Sequence, residues 1–154
     1  MPVFVASVSI PGPETQLDFI NIHVNIMLRL VLLEDGPAMQ VYDLERDGRR
    51  ETKEFIVGLD ERAQLRLVKT FRQLAQTGRA GRDEQRFKHL DGPVYEVKEH
   101  SVNARLFCFR WKSRVIVCTH GTRKPAGKGT KQYQEAIEKV KRLLEECEAA
   151  GALP

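Results

Sequence analysis

Three kinds of side chain in the second half of the chain suggest chemistry on a phosphate. They are arginines and lysines with a planar or point charge, one histidine that titrates near neutrality, and an aromatic at a strand tip. Residues 86–132 hold eleven Lys or Arg against Asp91, Glu96 and Glu99 alone. In contrast, residues 1–38 hold Arg29 against Glu14, Asp18, Glu34 and Asp35. A basic stretch of this density suggests a polyanionic partner; the plainer reading is a solvated charged face.

Strand parity decides which of these groups can meet. Val94–Glu99, Ala104–Arg110 and Arg114–His120 read as three strands, the last two as a hairpin around Lys112. Arg105, Phe107 and Phe109 share one face, and Ala104, Leu106 and Cys108 the other. Lys98 and His120 end the flanking strands, with Arg123 and Lys124 just beyond and Lys88 just upstream. A sheet thus gathers Lys98, Arg105, His120, Arg123 and Lys124 along one rim. RNA cleavage suits such a rim, because the 2′-hydroxyl is an internal nucleophile and no metal is required. It needs a base, cations on the phosphate oxygens and a group at the leaving oxygen. A lysine crowded by cations loses its proton more readily and can serve as base. Trp111, at the hairpin tip, is placed to stack on a base or to act as a rim aromatic.

Other chemistries fit less well. Gly121–Gly129 (GTRKPAGKG) lies between strand and helix, yet it has one residue too many for a phosphate loop. Gly129 also stands where the hydroxyl residue belongs, so the loop, with Lys128, reads as a flexible basic contact. His23, His89, His100, His120 and the three cysteines show no metal-ligand spacing, and no metal or small-molecule cofactor is expected. Three cysteines without a close pair imply no disulfide framework and a reducing, cytoplasmic setting. Cys108 and Cys118 are placed to face each other across the hairpin, and Cys147 reads as core.

The elements that position these groups follow from periodicity in the 154 residues. Ile20, Ile22, Val24 and Ile26 alternate with polar residues and read as a strand, which continues or turns helical up to Leu33. That segment is too polar for a membrane span and has no basic region ahead of it as a signal peptide would. Met39–Glu45 reads as a short strand. Residues 50–58 and 60–77 read as an αα-hairpin, with Asp60 as N-cap and Gly78 as stop. A DNA-reading helix-turn-helix is the sharper but rarer alternative. Thr130 can cap a last helix whose apolar stripe runs from Tyr133 through Ala136, Val140 and Leu144 to Cys147. Tyr133 reads as core by its place on that stripe, and as a catalytic tyrosine only if the helix start reaches the site. From residue 39 the order is β-α-α-β-β-β-α, which predicts an α+β domain. Its sheet is small, antiparallel and curved, with helices on one face and the basic face open.

The segment from Phe87 to Lys98 (FKHLDGPVYEVK) resembles the RelE/HigB toxin superfamily, which carries K-x-L-x-x-G-L-Y-E-L-R there. Ala104–Phe109 is similar to that superfamily's Y-R-V-x-Y-F strand. Val115–Cys118 with His120-Gly121, Arg123-Lys124 and Lys128 resembles its I-V-L-L-H-G-F-x-K-K segment. The resemblance spans residues 39–148 and points to the phage-derived, HigB-like branch of the RelE/ParE superfamily. It implies a RelE-like fold and the toxin of a type II toxin–antitoxin system. The implied activity is metal-free mRNA cleavage at the ribosome; some relatives instead poison DNA gyrase, and a third outcome is a degenerate, non-enzymatic basic binding module. An antitoxin, commonly of the helix-turn-helix type, is the implied partner. By position Lys88 and Lys98 would be basic site residues and Arg105 would hold the phosphate. His120, Arg123 and Lys124 would complete the rim, so the catalytic set is Lys98, Arg105, His120 and Lys124. Lys88, Arg123, Lys128 and Trp111 would contact RNA.

Three positions depart from that pattern. Lys98 stands where Arg is usual, Ala104 replaces a Tyr, and Thr122 replaces an aromatic. Residues 1–38 lie outside the resemblance. They read as an extension to the domain of residues 39–154, arising either from an upstream start codon with Met39 as the natural start or from an added strand or arm.

Overall fold

The computed structural model describes residues 4–11, 21–80, 86–123 and 130–154. Strands β1 (Phe4–Pro11), β2 (Asn21–Asp35) and β3 (Gln40–Arg46) are followed by helices α1 (Glu51–Val57) and α2 (Glu61–Thr77). Four further strands, β4 (Phe87–Asp91), β5 (Val94–Glu99), β6 (Ala104–Trp111) and β7 (Val115–Arg123), precede helix α3 (Thr130–Ala150). The strands form one seven-stranded sheet in the order β1-β2-β3-β7-β6-β5-β4.

The sheet is mixed, which corrects the expected all-antiparallel arrangement. β3 and β7 run parallel, with Gln40 opposite Val115 and Asp43 opposite Cys118. The chain leaves β3 through two helices and three strands and so re-enters beside it in the same direction. β4 is a second departure: Phe87–Asp91 pairs with β5, and the turn closes at Gly92 with φ +52°. Its residues show no period-two alternation, so the strand is not evident in the sequence.

Helices cover both faces, so the basic face is not left open. On one side α1 and α2 press Leu59, Leu67, Phe71 and Leu74 onto Val41, Val97, Leu106, Cys108 and Ile116. On the other, the stripe of α3 (Ala136, Val140, Leu143, Leu144, Cys147) packs on Leu28, Leu30, Phe107, Phe109 and Val117. A stripe of that width needs an apolar partner, and the second face of β6 and β7 supplies it. Burial holds the Cys147 thiol up at about 12. Cys108 and Cys118 face each other with sulfurs 4.0 Å apart, both as free buried thiols.

Residues 26–35 are built into this framework. β2 continues as a strand rather than turning helical, because Ile26, Leu28 and Leu30 alternate onto the α3 side and are buried. It pairs with β3 from Leu28–Arg46 to Asp35–Gln40, with a register shift after Leu32. Behind it, Gly36 lies so close to the end of α2 that a Cβ there would stand 2.3 Å from the Ala75 carbonyl oxygen. That carbonyl accepts from the Ala38 and Met39 amides, which seats β3 against α2.

The helices expected over 50–58 and 60–77 stand at Glu51–Val57 and Glu61–Thr77. The Asp60 side chain accepts from the Ala63 amide at 2.9 Å, and Gly78 ends the helix at φ +75°. Among the described residues no helix is long and apolar enough to cross a membrane.

Candidate active site

One row of side chains crosses four strands on the α3 face. Lys88 on β4 stands opposite Glu96 on β5, Glu96 opposite Phe107 on β6, and Phe107 opposite His120 on β7. The next row holds Lys98, Arg105 and Thr122. Directly paired residues in a ladder point to the same side, so Lys88, Glu96, Lys98, Arg105 and His120 share a face.

His120 reaches this face through a bulge. Cys108 pairs with Cys118 while Phe107 pairs with His120, so Thr119 is an extra residue in β7. Val115 and Val117 point toward α3. The inserted residue reverses parity, which brings His120 and Thr122 to the α3 side and sends Gly121 and Arg123 to the other. Arg123 opposes Ala104 and donates to the Val102 carbonyl at 3.0 Å, away from Arg105. Lys98, Arg105 and His120 therefore share one face, with Lys88 adjacent, while Arg123 turns to the other face of β7 and still lines the same cleft as His120.

Trp111 lies at the far end of the sheet, roughly 20 Å along β6 from Arg105 at strand rise. Its indole N–H donates to the Pro154 carbonyl at 3.2 Å, so it braces the end of the chain. Lys124 and Lys128 lie outside the described residues.

Arg105 is only 6% exposed. Its Nε donates to the Tyr133 hydroxyl at 3.2 Å and its Nη1 to the Ala104 carbonyl at 3.0 Å. Tyr133 sits on the first turns of α3 and turns its ring edge toward Phe107, centroids 5.8 Å apart. The helix start therefore reaches the cluster, and Tyr133 serves both core and site. Burial raises the Tyr133 hydroxyl above its ordinary pKa; Arg105 pulls it down and nearby Glu96 pushes it up.

Lys98 has Arg105 opposite it on β6 and a carboxylate beside it on its own strand. Its Nζ lies 3.3 Å from Glu96 Oε1, and both side chains are largely buried. Glu96 is itself 1% exposed, and its Oε2 has no hydrogen-bond partner among the described residues.

His120 stacks on Phe107, with centroids 5.0 Å apart and planes at 22°. Thr119 Oγ1 donates its one hydrogen to the Phe107 carbonyl at 3.2 Å, and therefore accepts from His120 Nδ1 at 2.9 Å. The hydrogen-bond pattern thus assigns the ring proton to Nδ1 and leaves a lone pair on Nε2. Burial, with help from the Lys139 charge, lowers the imidazole pKa to about 4. His120 is neutral at pH 7, an acceptor and not a fixed cation.

The His120 ring lines an open cleft of about 690 Å³ at the edge of β7. β3 pairs with β7 only as far as Cys118, so the edge beyond it is uncovered by a strand. Phe55 and Glu51 of α1 form one wall, Gln132 and Lys139 of α3 the other. Lys139 Nζ donates to Glu51 Oε1 at 2.8 Å and ties the two helices together. The cleft carries Glu51, Glu54 and Glu135 against Arg49, Arg123 and Lys139, so it is mixed rather than basic. Phe55 rests on Gly121: a Cβ at Gly121 would stand 2.3 Å from Phe55 Cδ1. The glycine after His120 is there because α1 needs the space.

Glu96, Tyr133, Glu51 and Lys139 are the participants that sequence reasoning did not place in the site. Glu96 shares strand parity with Lys98, which was a usable signal. The α1–α3 tie depends on tertiary packing alone. Among the described residues no cluster of His, Cys, Asp or Glu is arranged to hold a metal ion.

No curated protein matches the chain. The family model described as "Phage derived protein Gp49-like (DUF891)" matches residues 54–145, from within α1 through most of α3, and includes Lys88, Glu96, Lys98, Arg105, His120 and Tyr133. The chain belongs to the Gp49-like family of phage-derived proteins.

Proposed function

We propose that this protein is a RelE-like toxin of a type II toxin–antitoxin system that cleaves mRNA on the ribosome without a metal. The observation that carries the reading is the grouping of Lys98, Arg105 and His120 on one sheet face, with His120 neutral and bordering an open cleft. Membership in a phage-derived family is consistent with a mobile toxin gene.

In this mechanism the Nε2 lone pair of His120 takes the proton of a 2′-hydroxyl. The 2′-oxygen attacks the adjacent phosphorus, the bond to the 5′-oxygen breaks, and the departing 5′-oxygen takes a proton from water, to which His120 later returns its own. Arg105 and Lys98 offset the charge that builds on the phosphate oxygens. The products are a 2′,3′-cyclic phosphate and a 5′-hydroxyl. Arg105 reaches a phosphate once the Tyr133 hydroxyl yields its place on Nε. Lys88 extends the positive row toward the RNA, and Arg123, Lys124 and Lys128 act as flanking contacts. The partner is an antitoxin, and the setting is the cytoplasm.

The experiment is induction of the chain in bacteria with mapping of RNA ends on and off ribosomes. New 5′-hydroxyl ends in mRNA support the reading, and Arg105→Ala or His120→Ala should lower their yield roughly a hundredfold or more. The deep burial of Arg105 and the balanced charge of the cleft favour one second reading, a gyrase-poisoning toxin that binds and does not cleave. Intact mRNA with an induced DNA-damage response would establish that instead.

A further inference from the structure

The outer surface of the α1–α2 pair carries an uncovered apolar strip. Among the described residues five large apolar side chains are exposed, and three of them stand here: Val57 at 60%, Leu65 at 62% and Val68 at 38%. Val57 and Val68 border one hollow of about 260 Å³ between α1, α2 and the β2–β3 pair, with Leu33, Ile56 and Phe71 behind them. Leu65 lies one turn from Val68 on α2 and extends the strip over the crest of the helix. Apolar side chains scattered singly are ordinary on a surface, whereas a run of them beside a groove marks a contact. The charges around the strip are lopsided. Helix α2 carries Arg62, Arg66, Lys69 and Arg72 against Glu61 alone. The neighbouring carboxylates are already engaged: Glu34 with Arg72 at 3.2 Å, Asp43 with Arg50 at 2.7 Å and Glu99 with Arg66 at 3.8 Å. Lys53, Arg62 and Lys69 are exposed and pair with no carboxylate among the described residues. Lys53 borders the hollow from α1, while Arg62 and Lys69 flank Leu65 on the side of α2 away from it.

We propose that this strip is the docking site for an amphipathic helix of a partner protein, one with an apolar ridge and acidic flanks. A helix with apolar residues at i, i+3 or i+4, and i+7 lays that ridge along Leu65 and Val68 and lowers a side chain into the hollow. Carboxylates on its flanks reach Lys53 on one side and Arg62 and Lys69 on the other. Other occupants fit less well. A second copy of this chain would bring the same cations against themselves. Single-stranded RNA finds no aromatic ring on Val57, Leu65 or Val68 to stack on. A bilayer surface would leave the hollow beneath it unfilled, with the contacts of its lining unmade. The strip and the His120 cleft lie on opposite sides of α1: Lys53, Ile56 and Val57 border the first, Glu51 and Phe55 the second. A partner can therefore dock without entering the cleft, and the proposal does not depend on the ribonuclease reading.

The probe is a synthetic helix of three LEALLQE heptads, which places an apolar ridge between two rows of glutamate. Fluorescein-labelled and held at nanomolar concentration, it is titrated with the full chain and read by anisotropy. Saturable binding in roughly the micromolar range or tighter is expected. The charge-reversed peptide, with LKALLQK heptads, should bind at least about tenfold more weakly. Leu65→Glu with Val68→Glu should weaken the acidic peptide at least about tenfold, and so should Arg62→Glu with Lys69→Glu. All four positions are exposed, so the thermal midpoint of each variant should stay close to that of the parent and show that the fold is kept. His120→Ala should leave peptide binding unchanged, which separates failure here from failure of the ribonuclease reading. The proposal is overturned if the acidic peptide gives no saturable binding, if the lysine peptide binds equally, or if binding survives either folded double variant. Binding to phosphatidylglycerol vesicles or to single-stranded RNA that is lost in Leu65→Glu with Val68→Glu, without binding of the peptide, overturns it in favour of that ligand.

Discussion

The Tyr133 hydroxyl lies 3.2 Å from Arg105 Nε, so the first turns of α3 are tied to the middle of the sheet through a buried guanidinium. Tyr133→Phe keeps the ring edge against Phe107 and removes only the hydroxyl. It should cost about 1–2 kcal/mol, because a nearly buried charged donor loses its acceptor. The midpoint of urea unfolding reads this directly. Tyr133→Ala should cost more, since the aromatic contact goes as well.

Stability should fall with acid through His120. Its pKa is about 4 in the folded protein against the ordinary 6.5, so the unfolded chain binds a proton more readily. The contribution is complete above pH 6.5 and is lost progressively as pH falls from 6.5 toward 4. Its size is at most about 3 kcal/mol. Urea unfolding at a series of pH values should show this slope, and His120→Gln should flatten it over that window.

Gly121→Ala should strain the junction of α1 with β7. The new methyl group would sit 2.3 Å from Phe55 Cδ1 and 2.8 Å from Leu106 Cδ2. A cost of about 1–3 kcal/mol is expected for overpacking at such a site. Phe55→Leu, introduced together with Gly121→Ala, should relieve part of it. Thermal unfolding of the double variant should therefore show a loss smaller than the sum of the single losses.

Leu28→Ala tests whether β2 is part of the folded unit. Leu28 is fully buried and faces α3. The substitution should destabilise by about 3 kcal/mol. A loss near zero by chemical denaturation would mean that β2 packs loosely and that the core is complete without it.

Local signals in the chain were legible. Asp60 and Gly78 bracket α2 at the expected ends, and the alternation through Ile22, Val24 and Ile26 falls within strand β2, while Ile20 lies outside the described residues. The neighbouring strands β5 and β6 bring Lys98 and Arg105 together as strand order implies. The failures are non-local. The parallel pairing of β3 with β7 leaves no trace in either strand. The covering of the basic face by α3 depends on which apolar surface remains after α1 and α2 have docked. Arg123 turned to the face opposite Arg105 because one inserted residue at Thr119 inverted the parity of everything after it, a shift that alternation counting cannot detect. Trp111 was placed by its hairpin position alone, without knowledge that the end of the chain reaches it.

The parallel neighbours at the centre of the sheet also set an order of events for the newborn polypeptide. Gln40 waits for Val115, a partner far downstream, before the middle ladder can close. Until then β3 presents one bare edge, and assembly must cross a large loop-closure barrier late. Refolding should be slow for a chain of this size, and nascent material is open to edge-to-edge association before β7 emerges.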